Sequence, residues 1–512
     1  MSRPRRVVVV GGGTAGWIAA NMLVQRWPDC AITLIESPDI ATIGVGEGST
    51  PSLRQFLAGL GLAEADWMAR CQATYKTSIR FAGWSPQGPA AYDHPFTTQL
   101  DAHTTQAFFN NCRNRRHGLD VPTEPAAFLL GARLAAHRKA PLAPAHFPFR
   151  IDYGYHFDAA LLGACLRDVA VARGVVHVSG AVCQAHCHPN GDIAHVLTRQ
   201  GQQIAGDLFI DCSGFAGVLI RGKLGVGFVS FANSLFNDAA VVLPTPAKAA
   251  PRPQTLASAL SAGWCWQIPL RGRTGNGYVY SSAHLSPEAA MRELCAHLGL
   301  AEGAGQEAAE VRHLRFATGR LARSWAGNVV AVGLAQGFVE PLEATALHLV
   351  LSTLEMFLND YERGGYSAQY ADACNARINA RIDQVRDYIV AHYKLNTRND
   401  TDYWRENRAN PQLSDALHHI LDAWYSRRAL EAQLAEHGAL SHFDASSWHC
   451  LLAGYGAFPP ADQPGGLGVD FHAAQGVERF LNGCLMNFPD HTQALDALAA
   501  ASPPLSEPCL PC

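Results

Sequence analysis

Charge is scarce in this chain. Of its 512 residues only 16% are Asp, Glu, Lys or Arg, and 40 basic against 44 acidic side chains leave a formal net charge of −4. A nucleic-acid binder needs a basic surface to displace counterions from phosphates, so that class is excluded. Cysteine is dilute as well. Fourteen thiols in 512 residues fall far short of a disulfide scaffold and are expected to be reduced. No apolar run approaches the ~18 residues that a membrane span requires. The basic start Met1-Ser-Arg-Pro-Arg-Arg6 is followed by only four apolar residues, Val7 to Val10, before glycines intervene. It therefore does not read as a secretory leader. A cytoplasmic protein without membrane or nucleic-acid partners is the expectation.

What is present is core-forming material: 48% of the residues are hydrophobic, enough for about two or three folded units. Val7–Val10 reads as a strand, Gly11 to Gly16 as a loop, the Ala-rich stretch to Gln25 as a helix and Ala31–Ile35 as a second strand. That is a βαβ unit, and its sheet should be parallel. Residues 174–212 are strand-like, with turns at Pro189-Asn-Gly-Asp192 and Arg199-Gln-Gly-Gln202. A further strand, Val329–Val332, leads through Gly333 and Gly337 into a helix carrying Leu347 to Leu358, and beyond about 360 the periodicity is helical. The expected fold class is α/β: a Rossmann-like, flavin monooxygenase-type FAD-binding body over 1–360, with substrate-contacting insertions. A mainly α-helical substrate-binding region would follow over 361–512.

Gly11-Gly-Gly13-Thr14-Ala15-Gly16 is a G-x-G-x-x-G between strand and helix. The first glycine turns tightly, the second admits a pyrophosphate to the backbone, and the third lets helix and strand pack closely. Helix N-terminal amides then face the phosphates. Glu36, 25 residues after Gly11, is placed to accept from a ribose hydroxyl. Asp207-Leu-Phe-Ile-Asp211-Cys-Ser-Gly214 and the Val329–Gly333 run ahead of Gly337 look like the second and third flavin-contacting segments of two-domain flavoproteins. They favour FAD over NAD.

Gly263-Trp-Cys-Trp-Gln-Ile-Pro269 contains W-x-W-x-I-P: Trp264, Trp266, Ile268 and Pro269. Two tryptophans two residues apart share one face of a strand. With the N-terminal glycines, this pattern resembles the flavin-dependent halogenases, the tryptophan halogenase family. The resemblance runs through most of residues 5–360 and more loosely into the tail. Gly44-Val-Gly46-Glu47-Gly48-Ser49-Thr50-Pro51 is similar to the family's strap over the flavin, with Ser49 or Thr50 expected to cap the helix that follows. The alternating segment Tyr75-Lys-Thr-Ser-Ile-Arg-Phe81 predicts one strand, with Lys76 and Arg80 opposite Tyr75, Ile79 and Phe81. The resemblance makes Lys76 the essential lysine, either donating a hydrogen bond to hypohalous acid or forming a haloamine.

Gly337-Phe-Val-Glu-Pro-Leu-Glu-Ala-Thr-Ala346 is similar to the family's proline–leucine–glutamate segment. By that match Glu343 is the catalytic glutamate, expected at a helix start, and Thr345 with Ala346 form the halide site. Ala344 and Ala346 stand where tryptophan-specific members have serine and glycine. The tail segment Ser447-Trp-His-Cys-Leu-Leu-Ala-Gly-Tyr-Gly456 looks like a branch acting on less defined substrates, and no counterpart of the acid that holds a free amino group is evident. The resemblance thus implies halogenation of an electron-rich aromatic such as an indole, with bromide or chloride, reduced FAD and oxygen, through hypohalous acid. A separate NAD(P)H-dependent flavin reductase would supply electrons, and a homodimer is left open. A flavin-dependent aromatic hydroxylase and a non-catalytic flavin-binding protein are the competing readings. Cys183 to His188 lacks a second ligand pair, so no metal is expected. The terminal Cys509-Leu-Pro-Cys512 reads as a frayed tail.

Overall fold

Four consecutive valines make the first strand because neither of its faces meets water. Val7 to Val10 are all buried, and a continuous apolar run of this kind is the mark of a strand covered on both sides. The computed structural model describes residues 3–39, 46–301, 311–436, 438, 443–460 and 468–501. In it, Arg6–Val10 is flanked by the parallel strands Leu208–Asp211 and Ala31–Glu36. The sheet extends outward to Val329–Ala331 and Trp325–Ala326 on one side and to Val176–Ser179 on the other. Only Trp325–Ala326 runs antiparallel. Val10 lies in register with Ile35 and Asp211, and Asp211 with Ala331. The Gly11 loop, Glu36, Cys212 and Gly333 therefore emerge at the same carboxyl edge, where open α/β sheets bind ligands.

A second sheet supports the other half of the molecule. Its strands run in the order Arg312–Arg315, Ala239–Val242, Arg273–Tyr280, Gly263–Pro269, Gln254–Leu260, Ser78–Ala82 and Ala91–Pro95. All neighbours are antiparallel except Gln254–Leu260 beside Ser78–Ala82. A small third sheet places Gly154–Phe157 between Glu47–Gly48 and Thr74–Lys76. Helices dominate the C-terminal region, among them Ala346–Arg363 and Ala371–Lys394. The helix Asp402–Ala409 docks on the second sheet by side-chain hydrogen bonds: the Trp404 Nε1 donates to the Leu260 carbonyl at 2.7 Å, and Thr401 Oγ1, just before the helix, to that of Ser261 at 2.7 Å. No described helix is long and apolar enough to cross a membrane.

The expected single strand from Tyr75 to Phe81 is two. It breaks at Thr77, whose amide and hydroxyl both donate to the Pro253 carbonyl, so Thr74–Lys76 and Ser78–Ala82 belong to different sheets. Lys76 does not share a polar face with Arg80. It is completely buried, while Arg80 pairs with Asp93 at 2.9 Å. The helix Pro51–Gly59 begins after Thr50 without a side-chain cap. Ser49 instead exchanges hydrogen bonds with Tyr155, accepting at Oγ from its amide at 3.0 Å.

Trp266 lies flat on its neighbouring strand because that strand offers a glycine. A methyl group added at Gly277 would sit 2.1 Å from the Trp266 ring. Gly277→Ala is therefore expected to destabilise the fold by about 1–3 kcal/mol, the usual cost of overpacking, and to shift Trp266 fluorescence. Urea denaturation of the two proteins checks this. Equal midpoints would contradict the packing described.

Candidate active site

The carboxyl edge of the parallel sheet is shaped for a dinucleotide. Gly11 has φ of +114°, and a side chain there would meet the Cys212 carbonyl at 2.1 Å. One at Gly16 would meet the Gly11 carbonyl at 1.9 Å. Gly13 is the residue before the helix Thr14–Arg26 and has no side chain to cap it. The amides of Thr14 and Ala15 therefore face outward at the positive end of a thirteen-residue helix, an arrangement that favours phosphate. Gly333, at φ +67°, brings the third segment against this loop; a methyl there would be 2.9 Å from the Ala15 methyl. Gly337 packs equally tightly on the Gly319 carbonyl. Glu36 is partly exposed beside the loop, with its carboxylate 3.1 Å from His177. These features fit a flavin dinucleotide. Asp211 differs from the expectation in one respect: its buried carboxylate accepts from the amide and hydroxyl of Ser213 and from the amides of Leu219 and Ile220. It shapes its own turn, and what this position offers a cofactor is backbone.

The strap and the lysine are parts of one small sheet. Glu47 and Gly48 pair with Phe157 and His156, and Lys76 pairs with Gly154 on the opposite side. The Lys76 ammonium donates to the Ser49 carbonyl at 3.3 Å and lies 5.2 Å from the centre of the Phe96 ring. Burial lowers its pKa to about 7, against the opposing pull of the Glu343 charge. Glu47 moves the other way: burial, reinforced by Asp158, lifts its carboxyl to about 7. Gly46 rests near Ile268, and the Pro269 carbonyl accepts from Thr74 Oγ1 at 2.7 Å. The tryptophan strand, the strap and the lysine strand are thereby fastened together. Gly44 and Val45 lie outside the described residues.

On the tryptophan strand, Trp264 and Trp266 are both buried, with ring centres 6.0 Å apart and planes tilted by 56°. Trp264 is more than a slab. Its Nε1 donates at 3.0 Å to Glu340, a fully buried carboxylate that also accepts from Asn237 and the Tyr393 hydroxyl. Burial raises the pKa of Glu340, opposed by these three donors.

Glu343 sits in a 3-10 turn, Pro341–Glu343, and not in the first turn of the following helix. The chain reverses at Ala344, which takes a left-handed φ of +55°, and the helix begins only at Ala346. Thr345 is the buried residue before it, and Ala346 is exposed. Glu343 itself is buried between two histidines. His94 Nδ1 lies 3.0 Å from both carboxylate oxygens, and His392 Nε2 lies 3.0 Å from Oε1. Burial pushes the carboxyl pKa up, but the histidines outweigh it and hold Glu343 at about 2. His94 lies near the end of the strand Ala91–Pro95 that leads into Phe96, so one short segment touches Glu343 with its histidine and Lys76 with its phenylalanine. Neither histidine stands out in sequence: they are 298 positions apart, with no motif spacing to connect them. Among the described residues no group of three or more His, Cys, Asp or Glu is arranged to hold a metal ion. Cys509 and Cys512 lie outside the described residues.

Comparison with known proteins agrees with this geometry. The tryptophan halogenase family model matches residues 6–470. Tryptophan 6-halogenase SttH of Streptomyces toxytricini is 38% identical over 447 residues, covering 82% of this chain and 84% of its own. Among solved structures, the flavin-dependent halogenase Xcc4156 from Xanthomonas campestris superposes with a TM-score of 0.84 at 32% identity, covering 97% of this chain and 98% of that one. BrvH, a flavin-dependent halogenase from Brevundimonas sp. BAL3, superposes at 0.81 with 34% identity, covering 97% and 99%. The chain thus belongs to the tryptophan halogenase family and is a flavin-dependent halogenase.

Proposed function

We propose that this halogenase modifies an indole ring by using Lys76 to activate hypohalous acid and Glu343 to take the ring proton. One observation carries the reading: a buried lysine, its pKa lowered to about 7 by burial, feels the charge of a buried carboxylate that two histidines hold at about 2. A flavin held here and reduced by a separate reductase would supply, with oxygen, the oxidising power to turn halide into hypohalous acid. Gly11, Gly13, Thr14, Ala15, Gly16, Glu36, Gly46, Glu47, Gly48, Ser49, Gly333 and Gly337 would hold it, with the Asp211 turn behind. Thr345 and Ala346, at the start of an eighteen-residue helix, offer the halide open amides. Trp264, Trp266, Ile268 and Pro269 form the wall between flavin and substrate.

In the transfer, the Lys76 ammonium hydrogen-bonds to the hypohalous oxygen while the ring's electron pair attacks the halogen. The oxygen–halogen bond breaks, and the oxygen leaves as water with a proton supplied through Lys76. The ring proton passes to Glu343. A carboxylate of low pKa suffices as acceptor, because the protonated ring intermediate is itself a very strong acid. Electron-rich indole is the substrate class, with free indole ahead of tryptophan. Bromide, the more easily oxidised halide, should turn over faster than chloride. Turnover of indole and tryptophan with chemically reduced FAD, oxygen and each halide tests the reading. Product forming without halide would contradict it.

Lys76 works at a cost to the fold. Its folded pKa lies below its unfolded value, so between about pH 7 and 10.5 the unfolded chain binds more protons and stability rises with pH. The penalty is fully present at and below pH 7. Lys76→Met is expected to abolish halogenation and to stabilise the protein at pH 7 by about 2–4 kcal/mol. The gain should shrink as pH approaches 10. Thermal melts across that range, beside a product assay, check it; a less stable variant would contradict the buried, strained lysine.

Glu343→Gln keeps the shape but cannot accept a proton. It should cut halogenation by roughly 10²–10⁴-fold, the range for losing a general base. FAD affinity should be unchanged, and hypohalous acid should escape to a phenol or thiol trap. Parent-like halogenation would remove Glu343 from the reaction.

A further inference from the structure

The histidine pair around Glu343 continues into a third buried group. His392 Nε2 meets Glu343 Oε1 at 3.0 Å, and its Nδ1 meets the Tyr455 hydroxyl at 3.1 Å. All three side chains are buried. They come from the turn Pro341–Glu343, the helix Ala371–Lys394 and the end of the helix Ala445–Gly454. Aromatic rings wall the imidazole in: Phe81 at 4.7 Å, Tyr388 at 5.5 Å and Trp84 at 6.0 Å between centres.

Hydrogen-bond bookkeeping fixes the protons. An ionised carboxylate accepts only, so His94 Nδ1 and His392 Nε2 both donate to it. Burial disfavours a second proton on His392. Its Nδ1 is then an acceptor, and the Tyr455 hydroxyl donates. The two carboxylate oxygens are not equivalent in this arrangement. Oε1 takes the whole His392 bond and half of the forked His94 bond; among the described residues Oε2 takes only the other half. Oε2 keeps a lone pair for something else.

We infer that His392 and Tyr455 are positioning residues for halogenation: they lock Glu343 in its ionised form, bind Oε1, and leave Oε2 as the oxygen that receives the ring proton. The inference rests on the reading that Glu343 takes that proton. Other groups that face the Glu343 charge are Lys76, Tyr92, Tyr388 and Cys450. Of these only Lys76 changes charge near neutrality; Glu47 on the strap, with its carboxyl at about 7, titrates alike in parent and variants, so the difference between their acid limbs reports Glu343 and its histidines.

The test uses the full chain with saturating reduced FAD and measures kcat and KM for indole from about pH 4 to 9, together with trapped hypohalous acid. In the parent Glu343 remains ionised to the lowest pH and should contribute no acid limb. His392→Leu removes one of two donors from a buried carboxylate, and the acid limb should rise by about 2–3 pH units into the measured range. At the low end of that range kcat should fall at least ~10-fold, with KM within about twofold and the trap yield unchanged. His392→Gln restores a donor and should return the limb most of the way. Tyr455→Phe frees the imidazole to reverse its tautomer and should move the limb in the same direction by less. An unmoved acid limb in His392→Leu, or an equal and pH-independent loss in the Leu and Gln variants, would overturn the inference and leave His392 a packing residue. If the Leu variant does not fold, an unmoved limb in Tyr455→Phe overturns it instead. Glu343→Gln separates the two readings: if it stays active, the reaction assignment fails; if it is inactive while the limb does not move, only this inference fails.

Discussion

The proposed reaction centre depends on keeping one buried carboxylate, Glu343, charged. Taking a carboxylate out of water costs several kcal/mol even after relaxation. Hydrogen bonds to a charged group return about 1.5–3 kcal/mol each, so one histidine donor leaves Glu343 undecided and two hold it ionised. The two donors come from different layers. His94 lies on the edge strand of the second sheet, His392 on the long C-terminal helix, and Glu343 on the turn that follows the short strand Gly337–Phe338. The carboxylate therefore acts as a pin through three parts of the chain, and in the proposed mechanism the helix Ala371–Lys394 helps to set its charge through His392.

Lys76 shows the complementary constraint. It belongs to a three-residue strand whose neighbours are all tied down: Thr74 to the Pro269 carbonyl, Tyr75 to Glu64 at 2.9 Å, and Thr77 to the Pro253 carbonyl. Tyr153 and Tyr155 donate to the same Glu64. This rigid frame keeps the ammonium near the Ser49 carbonyl, although burial favours the neutral amine. The left-handed Ala344 is a second instance of local strain held by its surroundings, placed between the Glu343 turn and the helix Ala346–Arg363. Strain of this type is tolerated where function requires a geometry that folding alone would not choose.

The parts of this arrangement that were legible in sequence are those that follow from local periodicity. The valine run, the glycine loop and the turns near 190 and 200 all match the strands that form, because each rests on neighbouring residues. The shared strand of Trp264 and Trp266 also follows from their spacing; Lys76 and Glu343 were singled out through resemblance, and their local surroundings were misjudged. Alternation alone put Lys76 and Arg80 on one face, but the Pro253 carbonyl captures Thr77 and splits the strand. Helical spacing put Glu343 in a first turn, but Ala344 reverses the chain before the helix starts. His94, His392, Tyr455 and Glu340 were missed altogether. No local spacing connects them, and only the tertiary fold brings each to its partners.

The central claim is that Glu343 is ionised because two histidines donate to it. Infrared difference spectroscopy between the parent and Glu343→Gln, recorded near pH 4, reads this without turnover. At that pH an ordinary glutamate is about half protonated. The account requires the difference to appear as a carboxylate stretch, with no band from a protonated carboxyl group. A carbonyl stretch of protonated acid in its place would contradict it.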